Sequence, residues 1–118
     1  MKIIDTKVHG YVDYGMGFVL LLIPSLLHLK SDRLESMIFY ILGILMLFYS
    51  ILTDYQFGIY KVLPMKLHLY VDILSGVFLA ASLWIFGFYH SVFMVHVILG
   101  LIVIGSALIT KSKVRRYA

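Results

Sequence analysis

Two stretches of this chain are written alike: "KVHGYVDYGMG" at residues 7–17 and "KLHLYVDILSG" at residues 66–76. Lys7, His9, Tyr11, Val12, Asp13 and Gly17 return as Lys66, His68, Tyr70, Val71, Asp72 and Gly76, each 59 positions later. A second correspondence follows each of them. "GILMLFYSILTD" (43–54) aligns with "GLIVIGSALITK" (100–111) at a shift of 57, pairing Gly43 with Gly100 and Thr53 with Thr110. Chance matches leucines readily in an apolar chain, but it does not readily match Lys-x-His-x-Tyr-Val-Asp-x-x-x-Gly. The chain therefore reads as one two-helix hairpin written twice. Repeat 1 covers about 5–54 and repeat 2 about 64–111, and a basic tail follows at 111–118; together they form a single membrane domain, 1–118.

Composition sets the environment. The chain has 118 residues, 62% of them hydrophobic and only 14% charged, with a mean hydropathy of +0.98. A water-soluble domain of this size would need far more polar surface. Cysteine is absent, which excludes disulfides and thiolate chemistry. The net charge of +4 does not point to nucleic acid, because the basic residues sit at the ends of apolar runs. No cleaved leader is expected, since the first apolar run is long and no small-x-small site follows it.

Four apolar segments stand out, at 11–29, 37–53, 67–88 and 92–110. Each meets the roughly 17–25 residues that a helix needs to cross a bilayer, and continuous apolar runs exclude a β-barrel. The expected fold is all-α: a polytopic membrane protein of four transmembrane helices, built from parallel repeats related by an axis along the membrane normal. Asp5 or Thr6 is placed to cap the first helix, Asp32 with Glu35 the second, and Ser91 the fourth. Pro64 suits the first turn of the third, and Pro24 is expected to kink the first. Lys2, Lys7, Lys61, Lys66, Lys111, Lys113, Arg115 and Arg116 fall on one side, against Lys30 and Arg33 on the other. By the positive-inside rule both termini and the 54–66 connection are cytoplasmic. Tyr11, Tyr14, Tyr55, Tyr60, Tyr70 and Tyr117 lie near that same face, as an interfacial aromatic belt would.

One segment carries a resemblance. "AASLWIFGF" (80–88) resembles the Ser-Pro-Trp element of SPW-repeat small bacterial membrane proteins, which lies near the end of the first helix of each hairpin. Ser82-Leu83-Trp84 matches Ile23-Pro24-Ser25 at the shift of 59, so one copy keeps the Ser and Trp and the other the Pro. The "HGYVDY" opening, the "LTDYQFGIYKVLPMKLHLYVD" connector and the pairs Leu42-Gly43 and Leu99-Gly100 also look like this group. The resemblance implies a four-helix multi-pass protein of the bacterial cytoplasmic membrane, and carries no established activity with it.

The candidate site is polar. His9 and Asp13, like His68 and Asp72, are four residues apart and share a helix face. Gly17 and Gly76 continue those faces, with Ala80 beyond, so helices 1 and 3 are expected to pack along them, because small residues let backbones approach closely. An Asp at the bilayer centre costs roughly 2.5–3.5 kcal/mol on insertion scales, so these groups need partners. One reading is a structural staple of paired His–Asp hydrogen bonds; the other is an ion, proton or metal site at His9, Asp13, His68 and Asp72. His28, His90 and His96 fall near the outer membrane face, as a second cluster or as interfacial or hydrogen-bonded residues. Bis-histidine haem is disfavoured by the carboxylates beside His9 and His68. No nucleophile constellation, phosphate loop or nucleotide fingerprint is present.

The expected function is that of a small noncatalytic membrane protein with a structural or accessory role, holding no cofactor. Its expected partners are the lipid bilayer and either further copies of itself or a larger membrane complex, and not nucleic acid. The alternative is an oligomeric proton, ion or metal carrier. The charge bias gives a direct test: reporter fusions within 55–63 and after residue 118 should report the cytoplasm, and a fusion within 31–35 the opposite side. A C-terminus found outside would refute the orientation.

Overall fold

The computed structural model describes residues 2–30, 32–86 and 93–113. The described residues form four helices: α1 (Thr6–Leu26), α2 (Leu34–Leu52), α3 (Met65–Phe86) and α4 (Phe93–Ile109). There is no strand among the described residues, only two isolated bridges. Among the described residues one helix, through Met65–Ser82, is long and apolar enough to cross a membrane; shorter apolar stretches run through Ser36–Leu52 and Met94–Ile109. In α1 the polar residues Lys7, His9 and Asp13 occupy the first two turns.

The helix ends differ in detail from the sequence expectation. The residue before α2 is Arg33, not Asp32, and it makes no side-chain cap. Ser36 Oγ instead donates to the Lys30 carbonyl at 2.8 Å. Asp5 does precede α1 but makes no cap bond; it lies 3.7 Å from Lys111 Nζ. Pro64 stands just before α3, and its carbonyl accepts from the His68 amide. Pro24 lies inside α1, which runs only two residues further. His28, in the left-handed region at φ 56°, closes the helix: its amide bonds the Ser25 carbonyl and that of Leu29 bonds the Pro24 carbonyl. This is a Schellman stop, formed with histidine where glycine is usual. Ser91, His90 and residues 114–118 lie outside the described residues.

The two hairpins, α1–α2 and α3–α4, correspond bond for bond at their shared end. The amides of Ile3 and Ile4 donate to the Ile109 carbonyl, and the Lys111 amide donates to that of Ile4. At the other copy the amides of Val62 and Leu63 donate to Leu52, and the Asp54 amide donates to Leu63. The segment that leads into α1 is therefore held by the end of α4, and the segment that leads into α3 by the end of α2. These links close the four helices into a ring α1–α2–α3–α4–α1.

Glycines set the spacing within each hairpin. A Cβ on Gly43 would lie 2.9 Å from the Gly17 carbonyl oxygen, and one on Gly100 would lie 2.7 Å from that of Gly76 and 2.8 Å from Ala80 Cβ. The expected packing of α1 on α3 through Gly17, Gly76 and Ala80 is thus corrected: these residues bring α1 to α2 and α3 to α4. Among the described residues, no Cα of α1 lies within 8 Å of one of α3. The apolar core of Leu20, Phe39, Met46, Leu79 and Val103 fills the bundle beyond this end. A second, smaller cluster of Tyr55, Met65, Leu69 and Ala107 lies apart from it.

Gly15, by contrast, has nothing within 4 Å of its missing Cβ. Gly15→Ala should be neutral or stabilising by up to about 1 kcal/mol, from helix propensity. Gly100→Ala should destabilise by about 1–3 kcal/mol, because backbone and Ala80 leave no room for overpacking to relax. Reversible unfolding in mixed detergent measures both, and equal effects at the two sites would contradict this account of the interface.

Candidate functional site

The first two turns of α1 and α3 and the last turns of α2 and α4 meet at the shared end, and there the sequence places its polar groups. His9, Asp13, His68 and Asp72 converge, with one ligand-type atom from each within 4.8 Å of all the others. All four are buried, Asp13 the most exposed at 2%. His9 Nε2 lies 2.7 Å from Asp72 Oδ2 and 3.0 Å from Asp13 Oδ1. His68 Nε2 lies 2.5 Å from Asp13 Oδ2 and 3.4 Å from Asp72 Oδ2. Each histidine thus reaches the carboxylate of the other hairpin more closely than its own, and the two rings stand edge to face, 5.6 Å apart.

The far side of each ring is fixed by a threonine. His9 Nδ1 is 2.8 Å from Thr110 Oγ1, and His68 Nδ1 is 2.6 Å from Thr53 Oγ1. Each hydroxyl also lies against the carbonyl four residues back in its own helix: Thr53 on Tyr49 at 2.6 Å and Thr110 on Ser106 at 2.5 Å. Two oxygens this close must share a proton, and a hydroxyl has only one to give. Each threonine therefore donates to its own helix and accepts from the ring. This fixes the tautomer: both Nδ1 atoms carry hydrogen, and both Nε2 atoms face the carboxylates. Neither threonine stood out as a partner from sequence, although the Thr53–Thr110 match at the shift of 57 was visible.

Two further groups close the site. The Tyr49 hydroxyl donates to Asp72 Oδ1; its counterpart at the shift of 57 is Ser106, which donates to the Val103 carbonyl instead. The connection between α2 and α3 folds back over α1. Tyr14 donates to the Phe57 carbonyl at 2.8 Å, Thr6 donates to Gln56 Oε1 at 2.7 Å, and a Cβ on Gly10 would strike the Phe57 ring at 2.2 Å. Tyr55, expected in the aromatic belt, is wholly buried, with its ring 5.5 Å from that of His68. Burial raises the Tyr55 phenol above its ordinary value, and the nearby Asp13 carboxylate adds to the shift. Tyr11, Tyr60 and Tyr70 are exposed, as a belt requires.

His96 is a hydrogen-bonded residue, one of the alternatives that its sequence position offered. It is buried, with Nδ1 2.9 Å from Ser82 Oγ, and Ser82 donates to the Leu79 carbonyl at 2.8 Å. By the same proton argument, Ser82 accepts from His96. His28 is exposed and joins no metal-ligand cluster among the described residues. Of the Ser-Pro-Trp positions, Ser82 and Pro24 are buried while Trp84 is exposed. The chain matches the SPW repeat domain family over residues 7–110. It belongs to that family. No curated protein and no solved structure matches it. The matched SPW region contains every member of the site, from His9 to Thr110.

If the two carboxylates share one site, their substitutions cannot act independently. Asp13→Asn and Asp72→Asn should be non-additive by about 0.5–3 kcal/mol in a double-mutant cycle of unfolding. Additivity within error would separate the two pairs.

Proposed function

We propose that this chain is a multi-pass integral membrane protein of four spans, set in the bacterial cytoplasmic membrane with both termini and the 54–66 connection inside. We assign it a noncatalytic structural or accessory role in which the His–Asp ring joins the two hairpins. One observation carries this reading: the polarity of the bundle is inverted. The ionisable side chains of His9, Asp13, His68 and Asp72 are interior, while Leu74 is 69% exposed and Ile44 and Phe48 are each 58% exposed. In water this arrangement would leave apolar area uncovered and bury charge for no gain. In lipid it is the economical one, since ionisable residues in a membrane face the bundle interior and one another. The lengths of α1 and α3, at 21 and 22 residues, correspond to about 30 Å of helix, the thickness of the hydrocarbon core. Membership of a family of this kind supports the same reading.

A second reading, an ion or metal site, is favoured by the four Nε2–carboxylate contacts. For either, the membrane assignment comes first. Alkaline carbonate washing of membranes should leave the full chain in the pellet, and detergent should release it. Release by carbonate alone would overturn the proposal.

A further inference from the structure

The ring is bonded in a way that calls for positive charge at its centre. Both Nδ1 atoms spend their hydrogens on Thr53 and Thr110, so in a neutral imidazole the atom left facing the carboxylates is a bare Nε2 lone pair. A lone pair and a carboxylate oxygen at 2.5–2.7 Å hold either a proton or a cation between them. Among the described residues no lysine or arginine pairs with Asp13 or Asp72, and Lys7 and Lys66 are exposed.

We propose that His9 Nε2, His68 Nε2, Asp13 and Asp72 form a binding site for one divalent first-row transition-metal ion of the Zn(II) or Fe(II) class. The proposal rests on the ring as the feature that joins the hairpins, and gives that ring its ligand. Three observations support it.

The first is geometric. Zn–N and Zn–O bonds of about 2.0–2.2 Å in a tetrahedron set neighbouring ligand atoms about 3.4 Å apart. The Nε2–oxygen separations, which use both oxygens of Asp13, are 2.5, 2.7, 3.0 and 3.4 Å, and one ligand atom from each residue lies within 4.8 Å of the other three, so the four groups bracket the tetrahedral spacing. The second is the donor set. Two imidazoles and two carboxylates suit borderline divalent ions; Ca(II) and Mg(II) prefer oxygen alone, and Cu(I) prefers the sulfur ligands that are missing here. The third is the layer behind the ligands. Metal-bound histidines characteristically donate the other ring N–H to a fixed acceptor, as both do here, and Tyr49 holds Asp72 by Oδ1, the oxygen that contacts neither ring.

Four protein ligands in a buried place leave no open position, which is the signature of a structural rather than a catalytic metal. Each helix supplies an i,i+4 pair. The ion would therefore cross-link α1 and α3, whose backbones do not touch.

The test uses the full chain without a histidine tag, purified in detergent and stripped with chelator. Titration with Zn(II), read by elemental analysis, should give about one ion per chain, and Co(II) should give the visible absorption of a four-coordinate site. Asp72→Asn and His9→Gln should lose both signals, while His28→Gln keeps them. Because ligand variants may fail to fold, Thr53→Val and Thr110→Val provide a second route. They retain every ligand and should weaken Zn(II) binding about 10–100-fold. Wild-type protein that takes up neither ion overturns the metal site, as do threonine variants of unchanged affinity. If metal is absent but the Asp13–Asp72 coupling persists, the ring stands as a proton-bonded staple; if metal binds a chain whose carboxylates are uncoupled without it, the staple reading falls instead.

Discussion

Two carboxylates buried at one end of an apolar bundle must be satisfied where they stand, and the rest of the structure follows from how this is done. Neither hairpin can do it alone. Within the first, His9 reaches one oxygen of Asp13 at 3.0 Å; the other oxygen is met by His68, from the second hairpin. Separating the hairpins would leave a carboxylate and an imidazole half-bonded among apolar neighbours. In the membrane setting proposed above there is little hydrophobic gain from helix contact, so polar satisfaction takes over the task that apolar burial performs in a soluble fold. The labour is divided accordingly: glycine contacts hold each helix to its hairpin partner, and the His–Asp ring holds hairpin to hairpin.

The threonines show how finely the ring is constrained. A hydroxyl that bonds back to the carbonyl four residues earlier competes with the backbone for that acceptor. At Thr53 and Thr110 it becomes an acceptor of fixed direction, because its only hydrogen is already committed. Ser82 serves His96 in the same way. Three buried histidines are thus each oriented by a hydroxyl from the neighbouring helix of the same hairpin or of the adjoining one. The Ser of the family's Ser-Pro-Trp element therefore acts here as a ring-orienting acceptor, and no counterpart of that tie exists at Ile23 and Phe39 in the first hairpin.

Much of this was legible in the sequence, for a physical reason. In an apolar chain a polar residue is costly, so its repetition carries information, and the matched His–Asp pairs identify the four residues that meet. What was not legible depends on rotation and on partners. Successive steps of four residues drift by about 40° around a helix. Gly17 therefore stands about 80° from His9, far enough to face α2 while His9 faces α3; the shared face inferred from spacing was too broad. Thr53 and Thr110 matched each other, but a threonine at a helix end has many uses, and only its distance to a ring selects one. Tyr55 looked like its five neighbours in the belt because composition does not say which tyrosine of a connecting loop turns inward. For His96 the sequence left a second cluster, an interfacial residue and a hydrogen-bonded one open; helix α4 turns it toward Phe39, with ring centroids 4.6 Å apart, and toward Ser82.

The broken match between Tyr49 and Ser106 has a meaning of its own. If two identical hairpins met about a true twofold axis, their carboxylates would be chemically equivalent, and any group added to one would be added to both. Joining the copies in a single polypeptide removes that requirement. Asp72 has acquired a phenol that pins one oxygen, whereas Asp13 presents both of its oxygens to the imidazoles. Within the single chain the two carboxylates are thus unlike, one anchored and one adaptable. A dimer of separate hairpins has no way to encode that distinction.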